Sequence, residues 1–226
     1  MSSQPLHSWT PTYKQAVMIQ KEMCNQLVLT WDKREINSVG GVDVSFREGQ
    51  AQAAIVVFSF PDLTPIESAV AQQAVTFPYI PGLLTFREGP VVLTAWEQLK
   101  IKPDLLMFDG QGIAHPRGIG IASHLGLWLN CPTIGVAKSR LFGRHEEPGI
   151  QRGDEAQLRD ERDVTRSIGM VIRTRTNVRP MYISPGHLMD IPHAVTFVLR
   201  CCTRYRLPEP TRWAHRVAGG GNFPAR

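Results

Sequence analysis

Three acidic residues in this 226-residue chain stand in surroundings that make them candidates for chemistry. Asp43 interrupts the apolar run Val42-Asp43-Val44, Asp109 ends an apolar run that begins at Leu105, and Glu88 lies at the start of a predicted helix between them. A buried carboxylate without a compensating partner costs several kcal/mol. Three convergent carboxylates repel one another unless a cation lies between them, and an oxygen-rich ligand set favours Mg²⁺ or Mn²⁺ over zinc. The pattern predicts a metal-assisted phosphodiesterase.

Each acid also has an ordinary structural explanation. Asp109 can cap the turn that follows it, Glu88 can be a solvated surface residue, and Asp43 can pair with an arginine. Taken singly, these alternatives stay open. They differ from the metal hypothesis in one respect, because only the metal hypothesis requires the three side chains to meet.

The elements that must position these acids begin with a helix and three strands. Thr10 and Pro11 are typical of a helix start, and apolar residues then recur at helical spacing. Residues 38–46, 51–60 and 66–77 have strand composition and are joined by short turn signals. Short connections require antiparallel neighbours, so the sequence predicts a three-stranded meander.

The order of elements then changes. Pro78-Tyr79-Ile80-Pro81-Gly82 indicates a rigid exposed loop, and Pro90 is expected to begin a helix. Apolar strands at 105–109 and 133–137 enclose a helix over about 119–130, which requires parallel pairing. The fold class is therefore predicted as α/β, with a ribonuclease-H-like mixed sheet of a meander plus parallel strands, flanked by helices.

Composition and charge limit the class of protein further. The chain is predicted to form a single domain over 1–226, with net charge +5. Residues 143–163 hold four arginines against seven acidic residues and are expected to form a charged surface excursion. Residues 200–226 hold six arginines against the single Glu209, so a basic C-terminal tail from about 207–226 is expected to meet a polyanion.

Two further observations concern the environment of the protein. The four cysteines form no CxxC pair and no zinc-ligand spacing, which argues against a zinc-finger or redox protein. The N-terminal residues lack the pattern of a signal peptide, and no apolar run approaches the roughly 20 residues of a membrane span. A soluble, cytoplasmic protein without membrane association is expected, and a monomer.

Several segments combine glycine, proline and charged residues in a specific order, namely Gly41-Val42-Asp43-Val44-Ser45, Pro78-Tyr79-Ile80-Pro81-Gly82-Leu83-Leu84-Thr85-Phe86-Arg87-Glu88-Gly89-Pro90, Asp109-Gly110-Gln111-Gly112, Ala114-His115-Pro116-Arg117-Gly118, Gly135-Val136-Ala137-Lys138-Ser139, Ser184-Pro185-Gly186-His187 and Leu207-Pro208-Glu209-Pro210-Thr211-Arg212. Together they resemble the motifs of the endonuclease V family of deoxyinosine-specific repair nucleases. The resemblance covers nearly the whole chain.

The resemblance implies metal-dependent hydrolysis of the second phosphodiester bond 3′ to a deoxyinosine, leaving 3′-hydroxyl and 5′-phosphate ends. It implies DNA containing deoxyinosine as the partner and Mg²⁺ as the cofactor, with Mn²⁺ able to substitute. By the same resemblance, Asp43 and Asp109 are metal carboxylates and Glu88 is the third acid. Lys138 is then a catalytic lysine and His215 an active-site histidine.

The resemblance also implies which residues recognise the base. Tyr79 corresponds to the family's wedge, which fills the gap left when the damaged nucleotide rotates out of the stack. The alternative is an aromatic residue packed on the core. The residues that correspond to the hypoxanthine pocket are Gly82, Leu84, Gly110, Gly112, Ile121 and Gly135. Glycines suit such a pocket because they let the backbone approach a base, although ordinary turn geometry also explains them.

Three other functions compete with this interpretation. A dinucleotide-binding turn is disfavoured because His115 occupies the position of the third glycine after Gly110-Gln111-Gly112. A non-catalytic nucleic-acid-binding module would not need the three carboxylates. An inosine-specific endoribonuclease of the same family stays open, because the sequence does not distinguish DNA from RNA.

Overall fold

The computed structural model describes residues 6–224. Within this range the strands are β1 (Ser38–Arg47), β2 (Gln50–Ser59), β3 (Pro65–Ala74), β4 (Leu105–Phe108), β5 (Thr133–Ala137), β6 (Glu155–Arg159), β7 (Ser167–Ile172) and β8 (Met181–Pro185). The helices are α1 (Tyr13–Cys24), α2 (Leu84–Gln98), α3 (Ile121–Leu129), α4 (Ile191–Cys201) and α5 (Glu209–Ala218). None of these helices is long and apolar enough to cross a membrane.

The strands form one mixed sheet in the order β3-β2-β1-β4-β5-β8-β7-β6. β1, β2 and β3 pair antiparallel, and Glu48 and Gly49 close the first hairpin with positive φ angles of 50° and 76°. Positive φ at both central residues is the geometry of a type I′ turn, which matches the twist of the strands it joins. β4 pairs parallel with both β1 and β5. The predicted meander, parallel strands and ribonuclease-H-like fold class are confirmed.

Two apolar layers hold helices against opposite faces of the sheet. Leu106 and Phe108 belong to the layer that includes α2 and α3, whereas Leu105 and Met107 belong to the layer that includes α4 and α5. Successive side chains of a strand point to opposite faces, so a strand covered on both faces must be apolar throughout. This requirement explains the uninterrupted apolar run before Asp109.

The helix α2 begins at Leu84 and contains Pro90. The prediction that Pro90 begins this helix is therefore wrong. Glu88 consequently lies within the helix and not at its threshold. Leu83 and Phe86 are fully buried in a cluster with Ala16 of α1. Burial of these side chains therefore determines where α2 starts, and it overrides the preference of proline for a first helical turn.

The predicted charged surface excursion, residues 143–163, contains one strand of the sheet. Residues 155–159 form β6, which pairs antiparallel with β7 at the sheet edge, and Leu158 is buried in the core. An edge strand can carry charges on its solvent side, and a single inward apolar residue is enough to attach it. The charged composition concealed this strand.

The C-terminal segment is also more ordered than a basic tail. Residues 209–218 form α5, which packs on β1 and β2 through Ala214 and Val217. The arginines of this segment lie among these apolar positions, so counting charges concealed the helical pattern. The last two residues of the predicted tail, 225–226, lie outside the described residues.

A glycine determines how closely α5 approaches the sheet. A Cβ atom added to Gly41 of β1 would lie 2.0 Å from the carbonyl oxygen of Pro210 in the first turn of α5. The Cβ atom would be fixed to the backbone of β1, and the carbonyl oxygen belongs to the backbone of α5, so neither can move without displacing a whole element. The close approach of α5 to β1 therefore depends on the absence of a side chain at position 41.

We predict that Gly41→Ala lowers the free energy of unfolding by about 1–3 kcal/mol, which is the range for forcing an extra methyl group into a packed site. Urea unfolding followed by circular dichroism measures this loss. Gly219→Ala is the control, because a Cβ there meets its nearest atom at an ordinary 3.4 Å. Equal stability of the two variants would contradict the prediction.

Candidate active site

The sheet register brings Asp43 and Asp109 side by side. Val42 of β1 is paired with Phe108 of β4, and each is followed directly by one of the two aspartates. The backbone N–H of Asp109 donates to the carbonyl of Val42 at 3.1 Å, which holds the two strand ends together. Parallel neighbours present the same ends at one edge of the sheet, so their terminal residues meet there.

Two further elements deliver a histidine and a lysine to these carboxylates. His215 of α5 places its Nδ1 atom 2.8 Å from Oδ2 of Asp43. Lys138, one residue beyond β5, places its Nζ atom in contact with Oδ2 of Asp109. One ligand atom from each of Asp43, Asp109 and His215 lies within 4.8 Å of the others. The two carboxylates are largely buried, whereas 62% of the His215 side chain is exposed.

The carboxyl group of Glu88 in α2 interacts electrostatically with both aspartates. Burial first, and then the charges of Asp43 and Asp109, raise the pKa of Glu88 to about 8. Burial and Asp109 also raise the pKa of Asp43, against the opposite effect of the hydrogen bond from His215. Glu88 is only 9% exposed, so it is not the solvated surface residue of the structural alternative.

The donor set suits a hard divalent cation. Asp43 and Asp109 supply carboxylate oxygens, His215 supplies an imidazole nitrogen, and Glu88 supplies a further carboxyl group behind them. A cation between these groups removes the repulsion that raises the pKa of Glu88. Carboxylate ligands favour Mg²⁺ or Mn²⁺, and imidazole is compatible with Mn²⁺. Glu88 lies outside the group whose ligand atoms converge within 4.8 Å.

A cavity of about 360 Å³ opens beside Asp109, between the loop before α2 and the segments that follow β4 and β5. Tyr79 lies at this cavity with 68% of its surface exposed, so it is not packed on the core. Four of the six residues predicted for the hypoxanthine pocket line the cavity, namely Gly82, Leu84, Gly110 and Ile121. A cavity of this size can hold one planar heterocycle.

Gly112 and Gly135 do not line this cavity. A Cβ atom on Gly112 would lie 2.0 Å from the carbonyl oxygen of Pro185, and one on Gly135 would lie 2.2 Å from the backbone nitrogen of Gly112. Both glycines therefore allow backbone segments to touch beneath the cavity. A direct contact of either residue with a base stays a prediction.

The sequence interpretation left out several residues that line the cavity or stand near the site. His115 and Gln111 line the cavity. Both belong to the motif segments quoted above, and this position in the sequence could have identified them as candidate site residues. Arg140 and Leu141 line it as well, but no pattern marked them. Arg212, which belongs to the predicted basic tail, forms an ion pair with Glu209 at 2.5 Å, and 22% of its side chain is exposed.

The chain is similar to known proteins both in amino-acid sequence and in fold. The family model described as endonuclease V matches residues 21–216. The endonuclease V of Rippkaea orientalis is 49% identical over 213 residues, which cover 93% of this chain and 92% of the relative. The crystal structure of the Streptomyces avermitilis endonuclease V is 38% identical, with a TM-score of 0.88 and 94% of each chain covered. The Ciona intestinalis endonuclease V, crystallised with a 24mer DNA containing an inosine followed by a ribo-adenosine, shares the fold at 24% identity, with a TM-score of 0.80, covering 92% of this chain and 96% of that one.

The buried position of Glu88 leads to a prediction about stability and pH. In protein kept free of divalent cations by a chelator, the folded chain holds a proton on Glu88 that the unfolded chain releases near its ordinary value of 4.5. The free energy of unfolding should therefore fall as pH rises from about 4.5 to about 8, with a slope of up to about 1.4 kcal/mol per pH unit.

Urea unfolding at a series of pH values measures this slope. Glu88→Gln removes the titrating group, so its stability should depend less on pH over the same window. Glu97→Gln, an exposed substitution on the same helix, should keep the parent slope. Equal slopes in the parent and Glu88→Gln would show that Glu88 ionises normally inside the fold.

Proposed function

This chain belongs to the endonuclease V family of nucleases, and we propose that it is a divalent-metal-dependent DNA repair endonuclease that recognises deoxyinosine. In this proposal it hydrolyses the second phosphodiester bond 3′ to the deoxyinosine and leaves 3′-hydroxyl and 5′-phosphate ends. The observation that carries the proposal is the convergence of Asp43, Asp109 and His215 next to a cavity of the size of one base.

Asp43 and Asp109 would hold the cation, with Glu88 completing the negative charge of the site. A bound Mg²⁺ would supply Lewis-acid polarisation of the phosphate and stabilise the developing charge. A non-catalytic binding module has no use for three carboxylates that repel each other and also repel phosphate. The acids therefore support an enzyme over a binding module.

Lys138 and His215 have distinct tasks in this proposal. The Lys138 ammonium lies beside Asp109, where it offsets negative charge and can bind a phosphate oxygen. The Nδ1 atom of His215 is held by Asp43, so its Nε2 atom is free to exchange a proton with a water molecule or an oxygen of the substrate. The exposure of His215 supports this role because a substrate strand can reach it.

Base recognition is assigned to the cavity and to Tyr79. Tyr79 stands between Pro78 and Pro81, which restrict the backbone of its loop, and its ring projects into solvent. A rotated nucleotide would enter the cavity beside Asp109 while the ring fills the space that the nucleotide leaves. The backbone around Gly82 and Gly110 lines the cavity and is exposed to a planar base.

One assay tests the proposed reaction directly. Purified protein with Mg²⁺ is incubated with matched DNA and RNA strands that carry one inosine, and the cut position is mapped. Cleavage of the DNA at the second phosphodiester bond 3′ to the inosine supports the proposal. Cleavage of the RNA strand alone would identify the inosine-specific endoribonuclease instead.

We predict that Asp43→Asn or Asp109→Asn lowers the cleavage rate at least about 100-fold, because either change removes a charge that holds the cation, whose contribution to the transition state is several kcal/mol. Asparagine keeps the size of the side chain, so circular dichroism should show a folded protein. Asp62→Asn, on the exposed turn between β2 and β3, is the matched control and should cleave like the parent. Near-normal turnover by Asp43→Asn at ordinary Mg²⁺ concentration would exclude Asp43 as a ligand.

We predict that Tyr79→Ala weakens binding to inosine-containing duplex about 5- to 150-fold, because an inserted aromatic ring recovers about 1–3 kcal/mol of lost stacking. Single-stranded DNA needs less unstacking, so its affinity should fall less. Tyr79→Phe keeps the ring and is the matched control. Fluorescence anisotropy measures both affinities, and equal losses on the two substrates would contradict the wedge role.

A further inference from the structure

The carbonyl oxygen of Gly82 receives three hydrogen-bond donors from two distant parts of the chain. Gln20 of α1 donates from Nε2 at 2.9 Å, His115 donates from Nε2 at 3.0 Å, and Arg117 donates from Nη2 at 2.5 Å. A carbonyl oxygen has two lone pairs, so two donors would already satisfy it. The convergence of three therefore does more than pair a buried polar group. We call Gln20, His115 and Arg117 the Gly82 clamp.

The members of the Gly82 clamp also orient one another. The Nε atom of Arg117 donates to the side-chain oxygen of Gln20, so the Gln20 amide is fixed at both ends. The backbone N–H of Arg117 donates to Nδ1 of His115 at 3.1 Å, which leaves the His115 proton on Nε2, facing Gly82. Gln20 is 1% exposed and His115 is 3% exposed. Burial, and then the charge of Arg117, lower the pKa of His115 to about 4, in keeping with a neutral donor.

Gly82 itself fits the clamp closely. Its φ angle is +78°, a left-handed conformation that a side chain rarely adopts. A Cβ atom at this position would lie 2.5 Å from Nη2 of Arg117 and 3.3 Å from Nε2 of His115. The glycine therefore allows both the turn and the close approach of the donors.

The clamp acts on residues 78–82, a loop in which Ile80 packs, partly buried, against the apolar cluster of Phe77 and Leu83. Phe77 and Leu83 are buried in the core and hold the two ends of the loop. The N–H of Leu83 donates to the carbonyl of Ile80 at 2.9 Å, closing a turn directly after Tyr79. The Gly82 peptide lies inside that turn, so its orientation determines the direction in which the Tyr79 segment leaves the fold.

We propose that Gln20, His115 and Arg117 are positioning residues that fix the Gly82 peptide and thereby hold Tyr79 in the position from which it enters the nucleic-acid stack. The second part of this proposal rests on the proposed function, because it assumes that Tyr79 contacts substrate. None of the three residues needs to touch the scissile bond. The clamp connects α1 and the loop after β4 to recognition of the base.

The first experiment needs no substrate. Hydrogen exchange of the Leu83 amide is measured in the parent protein, in Gln20→Met and in Gln73→Met. Gln20→Met keeps the length of the side chain but removes its donor, so exchange at Leu83 should become at least about tenfold faster, the factor for about 1.4 kcal/mol. Gln73→Met is the matched control, because the Gln73 amide donates to Thr94 in the C-terminal half of α2 and not to Gly82. Unchanged exchange at Leu83 would overturn the clamp.

The second experiment asks whether the clamp acts through Tyr79. Affinity for inosine-containing duplex is measured for Gln20→Met, Tyr79→Ala and the double variant. Gln20→Met should weaken binding about tenfold in the parent background and much less in the Tyr79→Ala background, because a residue that acts through Tyr79 has nothing left to position. Equal losses in the two backgrounds would show that Gln20 is only structural, and would overturn the proposal.

A second variant covers the case in which Gln20→Met does not fold. Arg117→Lys keeps the positive charge but replaces the two nitrogens that bond Gln20 and Gly82 with a single nitrogen that cannot occupy both positions, so it should give the same non-additive loss. The parent protein separates this proposal from the proposed function. If the parent binds inosine-containing and undamaged duplex equally, the proposed function fails, and the exchange of Leu83 still decides whether the clamp holds Gly82.

Discussion

Repulsion among three buried carboxyl groups is the constraint on which the rest of this structure depends. The register of β1 against β4 forces Asp43 and Asp109 together, and α2 adds Glu88 behind them. Lys138 and His215 offset part of the negative charge. The pKa of Glu88 is nevertheless well above that of an ordinary carboxylic acid. Such an arrangement persists in a fold only where the surrounding packing fixes it, and perturbed carboxyl groups of this kind mark a candidate functional site.

The packing that fixes the site relies on backbone contacts that only glycine permits. Gly41 lets the first turn of α5 touch β1, which brings His215 to Asp43. Gly112 and Gly135 let the turn after β4 touch β5 and the end of β8, and this contact supports the cavity from below. These glycines contribute through the absence of a side chain. Each allows one element to approach another by the width of a methyl group or more.

Recognition and chemistry occupy neighbouring but separate supports. The carboxylates are carried by the sheet and α2, whereas Tyr79 is carried by a loop whose ends are buried and whose turn is held at Gly82. In the proposed function, this separation allows the loop to meet nucleic acid without disturbing the carboxylates. Under the proposed role of the Gly82 clamp, a change in α1 would affect base recognition while the carboxylates stay in place, since Gln20 belongs to α1.

The fold class, the meander, the parallel strands and the family could be predicted from the amino-acid sequence, because alternating or continuous apolar runs and the glycine-rich motifs are local patterns. It also marked the three acids, because a carboxylate in or after an apolar run is anomalous on local grounds alone. The start of α2 at Leu84, the pairing of residues 155–159 with the sheet and the packing of α5 became evident in the three-dimensional structure. It alone assembled the Gly82 clamp from residues about 60 and 35 positions away from Gly82. Pairings across such distances depend on which surfaces meet after the core is buried, and a local pattern carries no information about that choice.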